Sequence, residues 1–81
     1  MKNYVINKCW SKDGKCGCET LGVYPSLEKA TVIFKACETV LDQYAHDHDY
    51  MSMNAINSFV CWDDKHYAGE RIEVSLQEVK E

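Results

Sequence analysis

Cys9-Trp10-Ser11-Lys12-Asp13-Gly14-Lys15-Cys16-Gly17-Cys18 is the stretch whose reading decides the fold. Asp13-Gly14 is a strong two-residue hairpin signal, because a type I′ turn needs positive φ at both central positions. Pairing outward from that turn sets Lys12 against Lys15, Ser11 against Cys16, Trp10 against Gly17 and Cys9 against Cys18. Directly opposed residues share a face of the sheet, as do residues two apart on one strand. Cys9, Cys16 and Cys18 therefore fall on the same face.

The same register extends to both sides. The first strand is expected over 2–10 and the second over 16–24. Ile6 then faces Leu21, Tyr4 faces Val23, and Lys8 faces Glu19 as a favourable charge pair. Pro25 stops the second strand, and Ser26 is placed to cap a helix with Glu28 in its first turn. Leu27, Ala30, Phe34, Cys37, Leu41 and Tyr44 recur at helical spacing, and Ile33 and Val40 widen the stripe. Lys29, Lys35, Glu38, Thr39 and Asp42 lie outside it. The helix is expected to fade near Ala45 or His46. From His46 to Ile56 a last turn, a loop or a short second helix all fit. A third strand is expected over 58–62, a loop over 63–69 and a fourth strand over 71–79. In that last strand Ile72, Val74 and Leu76 point one way and Arg71, Glu73, Ser75 and Gln77 the other.

The expectation is a single α+β domain over 1–81. It is a four-stranded antiparallel sheet with one long helix on one face, in the order ββαββ. The helix-free face would carry Val5, Cys9, Cys16, Cys18 and Tyr24. Strand three would add either Val60 and Trp62 or Phe59 and Cys61. Such a face is apolar enough to call for a partner.

The composition narrows the function. A chain of 81 residues makes one domain and buries only about 60% of its unfolded surface, so a partner, a metal or a second copy would help it. The net charge of −4 argues against nucleic acid, whose binding surfaces cluster Lys and Arg; here the one Arg is Arg71. The first eight residues lack the apolar core of a secretory signal, and no apolar run is long enough to span a membrane. A cytoplasmic location follows as the expectation, and there thiols stay reduced.

Gly22-Val23-Tyr24-Pro25-Ser26-Leu27-Glu28-Lys29-Ala30 resembles the strand-to-helix passage of small uncharacterised phage and bacterial proteins. Those proteins open with a Tyr-x-Val strand and often close on Glu-Val or Glu-Leu, as in Gln77-Glu78-Val79 here. Pro25 departs from their usual Ser without disturbing the helix start. The resemblance implies a single-helix α+β domain of a mobile element, of a kind that blocks host proteins or sequesters host signals. It covers two short segments and carries no catalytic residue.

Five cysteines and three histidines invite a metal reading. Cys9, Cys16 and Cys18 would bind zinc with a fourth ligand from His46, His48, His66 or Cys61. Against this, Cys16-x-Cys18 lacks the usual spacer of zinc sites, and small semi-apolar side chains under a partner surface are the plainer reading. A Cys9–Cys18 disulfide is geometrically conceivable but disfavoured in a reducing compartment. Cys37 lies on the helix stripe as core. His46 and His48 read as a solvated helix end rather than a metal or base pair. Asp63 and Asp64 would hold a cation or, more simply, cap a turn. No glycine elbow or phosphate-cradling loop supports an enzyme.

Aromatic side chains at strand ends are better anchors. Trp10 falls on the core face. Trp62, beside Asp63 and Asp64, is the expected exposed anchor, with Tyr67, Tyr24 and Val5 completing a partner-binding set. The reading is a non-enzymatic binding protein that inhibits or sequesters a host defence factor through its helix-free sheet face, with a homodimer as the minimal assembly. Two alternatives are a zinc-binding structural module and an aromatic pocket for a nucleotide-like signal at a dimer interface.

Overall fold

A computed structural model describes residues 2–80, with side chains through Val79. The elements are β1 (Lys2–Lys12), β2 (Lys15–Tyr24), α1 (Leu27–Asp47), β3 (Met51–Ala55), β4 (Ser58–Trp62) and β5 (Arg71–Lys80). All strand pairs are antiparallel, in one sheet of order β2-β1-β5-β4-β3. The fold is α+β with one helix, as expected, but the sheet has five strands rather than four.

The additional strand is β3. Met51-Ser52-Met53-Asn54-Ala55 is exposed along its whole length. It turns into β4 through Ile56 and Asn57, neither of which takes positive φ. The connection thus lacks the Gly-containing primed turn that marks a hairpin in sequence. The helix ends on His48, and Asp49 reverses the chain at φ 57 before β3 begins.

The β1–β2 hairpin forms around Asp13 and Gly14, with φ of 53 and 78. Its register follows the turn as far as Asn7 opposite Thr20. There a bulge makes Leu21 the extra residue. Beyond it Ile6 faces Gly22 and Tyr4 faces Tyr24, not Leu21 and Val23. The bulge carries Tyr24 to the helix side, where it packs against the core, so it leaves the open face on which it was expected.

Ser26 caps α1, accepting a hydrogen bond from the Lys29 N–H at 3.3 Å. The helix lays Ala30, Phe34, Leu41 and Ala45 on Ile6, Phe59, Cys61, Ile72, Val74 and Leu76. Phe34, Ile6, Val74 and Cys61 are the largest fully buried side chains. Pairing of Cys61 with Ile72 and of Trp62 with Arg71 settles the parity of β4: Phe59 and Cys61 face the helix, Val60 and Trp62 the open side. Glu38, expected outside the stripe, turns toward β3. Its side chain is 15% exposed and accepts from Asn54 Nδ2 at 3.4 Å.

Candidate functional site

The helix-free face is organised in cross-strand rows. One row runs Cys16, Ser11, Arg71, Trp62, Met51, and the next Cys18, Cys9, Glu73, Val60, Met53. The third runs Thr20, Asn7, Ser75, Ser58, Ala55. The middle of the face is polar. Asn7 Nδ2 donates to Gln77 Oε1 at 3.2 Å, and Thr20 Oγ1 donates to Asn7 Oδ1 at 3.0 Å. The apolar side chains gather at the β3–β4 corner, where Met51 is 50% and Met53 62% exposed beside half-buried Trp62.

The loop after β4 borders that corner and is tightly built. The Asp63 N–H donates to the Glu70 carbonyl at 2.8 Å, closing the loop at its neck. Asp63 Oδ1 accepts from the Lys65 N–H at 2.9 Å, and Oδ2 lies 2.8 Å from His66 Nδ1. The Lys65 N–H foremost, with His66, holds the Asp63 carboxyl below the ordinary carboxylate range. Gly69 passes so close that a Cβ there would lie 2.8 Å from the Asp63 Cβ. Ala68, at φ 56, presents its carbonyl to the Asp13 N–H at 2.9 Å and so ties the loop to the first hairpin. Lys65 Nζ donates to the Asp49 carbonyl at 2.6 Å and pairs with its carboxylate at 3.0 Å, tying the loop to the end of α1.

A hollow of about 490 Å³ opens between this loop and the sheet, lined by Met53, Val60, Trp62, His66 and Arg71 among others. Trp62, Asp63, Asp64 and Tyr67 thus lie in one neighbourhood, but in different roles. Trp62 lines the hollow, Asp63 is consumed in holding the loop, Asp64 pairs with Lys65 at 3.6 Å, and Tyr67 stands wholly in solvent. Val5 is on the same face opposite Gln77, six residues along β5 from Arg71, or about 20 Å away. Tyr24 is on the other face. Met51 and Met53 are the contributors that sequence reading missed. Their alternation with Ser52 and Asn54 was the available signal.

Cys9 and Cys18 are joined in a disulfide, with Cα atoms 4.1 Å apart, while Cys16 is free and exposed. Direct opposition across the hairpin brings those two sulfurs together and leaves no three-thiolate set for zinc. Among the described residues no group of three or more His, Cys, Asp or Glu side chains is placed to hold a metal. The expectation of fully reduced thiols is corrected by the same bond. The free thiols of Cys37 and Cys61 lie on the helix side, and burial raises the Cys61 thiol above its ordinary range.

Of the histidines, His48 stacks on Tyr44 with ring centroids 4.0 Å apart, and its Nδ1 meets the Tyr44 carbonyl at 2.9 Å. Tyr44 and Tyr50 both donate their hydroxyls to Glu70 Oε1. The bond to Glu70 is the main reason that Tyr44 holds its proton far above the ordinary tyrosine range.

No helix among the described residues is long and apolar enough to cross a membrane. Comparison with protein families, curated proteins and solved structures finds no match to this chain. The corner brings together two flexible thioethers, an indole, a rim of Arg71 and His66, and the edge strand β3.

Proposed function

We propose that this chain is a protein-binding module that takes an extended segment of its partner along the β3 edge and over the Met51, Met53 and Trp62 corner. The observation that carries this is the character of β3. It is an edge strand, fully exposed, with no lysine, no proline and two outward methionines on its open face. Edge strands not meant for pairing are normally blunted by charge, proline or a bulge. The other edge, β2, has such devices: Lys15, Glu19 and the bulge at Leu21. A strand added at β3 gains main-chain hydrogen bonds, while the methionines and Trp62 adapt to its side chains. In the mobile-element setting implied by the resemblance, that partner is a host protein whose activity is blocked; a second copy of this chain is the simplest surrogate.

Photo-reactive methionine incorporated in cells tests this. Crosslinks are expected from positions 51 and 53 to a single partner. The purified partner should bind at least roughly tenfold more weakly to Met53→Lys and to Trp62→Ala, with both variants folded. Equal affinity of that partner for the wild type and both variants would overturn the assignment of this edge.

A further inference from the structure

The opposite side of the sheet holds a second opening. One helix about 10 Å wide cannot cover five strands spaced about 4.8 Å apart. Uncovered sheet therefore remains beside α1, and a cleft of about 490 Å³ lies there. Its volume falls within the roughly 300–1,000 Å³ of small-molecule sites. The floor is Ile72 and Val74 of β5, flanked by Leu41 of α1, each under 10% exposed. The walls are Leu21, thrown out by the bulge, and Val40, which is 72% exposed on the helix.

Two charged groups line the cleft. Glu70 already accepts the Tyr44 and Tyr50 hydroxyls. Lys8 is half-buried on the helix side of β1, and among the described residues its ammonium has no ion pair or hydrogen bond. Glu19 stands opposite it on β2 but makes no ion pair with it. Lys8 is paired with Val74, four residues along the chain from Glu70, so the backbone positions of the two lie about 13 Å apart along the strand direction. A cation that has no partner among the described residues, set beside an apolar floor, complements a ligand with an anionic head and an apolar body.

We infer that this cleft binds a small apolar carboxylate, with its head group on Lys8 and its chain between Leu21 and Val40 toward Tyr44. This site is on the face opposite the β3 corner and stands or falls independently of the protein-binding reading.

Decanoate, with decanol as its uncharged analogue, is the probe. Titration into the methyl-labelled full chain should give saturable shifts at Leu21, Val40, Leu41 and Val74. Lys8→Met keeps the aliphatic stem and should weaken decanoate roughly tenfold, with decanol unchanged. Val40→Glu, at an exposed helix position, should weaken decanoate as well. Absence of saturable shifts, shifts centred on Met51 and Met53 instead, or equal loss of decanol and decanoate in Lys8→Met would overturn the site. Shifts at these methyls that follow protein concentration and ignore decanoate would give the cleft to a second copy, and overturn it too.

Discussion

The indole of Trp10 lies over Gly17 on the neighbouring strand, so close that a Cβ at position 17 would stand 2.8 Å from Trp10 Nε1. The glycine is the platform on which a 41%-exposed tryptophan rests. Gly17→Ala is expected to lift the ring, red-shift its fluorescence and lower stability by about 1 kcal/mol. Denaturant unfolding followed by fluorescence checks this, and an unshifted emission spectrum would contradict it.

Removing the Cys9–Cys18 bond should cost less than its chain entropy alone suggests. A closed loop of this size is worth about 3 kcal/mol. The Asp13-Gly14 turn already favours closure in the unfolded chain, so about 2 kcal/mol is the expected loss for Cys9→Ser with Cys18→Ser. Reductant should lower the wild type to the same level and leave the double variant unmoved. A thiol titration should find three free cysteines in the unreduced protein.

Acid should loosen the loop after β4. The Asp63 carboxyl is more acidic in the folded chain than in the unfolded one, because the Lys65 N–H and His66 favour its charged form. Its contribution is therefore present above the ordinary carboxylate range and lost as pH falls through the lowered folded value. The protection of the Lys65 and Gly69 amides, taken relative to their intrinsic exchange rates at each pH, should fall below about pH 4. In Asp63→Asn that acid step should vanish.

Base should act on Tyr44 in the opposite sense. Its folded pKa is raised, chiefly by its bond to Glu70, so the stabilisation is complete below about pH 10 and fades as the solution becomes more alkaline. Tyr44→Phe removes the donor and is expected to cost about 1 kcal/mol at neutral pH. It should also flatten the alkaline limb of the stability profile. An unchanged limb would place that titration elsewhere.

Ala68 adopts φ 56, a left-handed conformation that suits glycine better. Ala68→Gly should keep the Asp13-to-Ala68 hydrogen bond and gain about 0.5–1 kcal/mol, visible as a raised melting temperature.

Local signals in the chain determined the hairpin at Asp13-Gly14, the cap at Ser26, the apolar stripe of α1 and the alternation of β5. Each depends on neighbours within a few residues, and backbone conformation there responds directly to side-chain type. The same periodicity predicted that one helix would cover one face. Tertiary structure decided what those rules leave open. β3 pairs because β4 offers it an edge, although Ile56-Asn57 carries no primed-turn signature. The bulge at Leu21 turns Tyr24 from one face to the other, since a single extra residue inverts every later side chain on the strand. The parity of Cys61 and Trp62 waited on β5, and the burial of Glu38 waited on β3. Opposition of Cys9 and Cys18 was legible from the turn, but their bonding was set by the closeness of two strands. The Met51, Met53 and Trp62 corner exists only once β3 and β4 lie side by side.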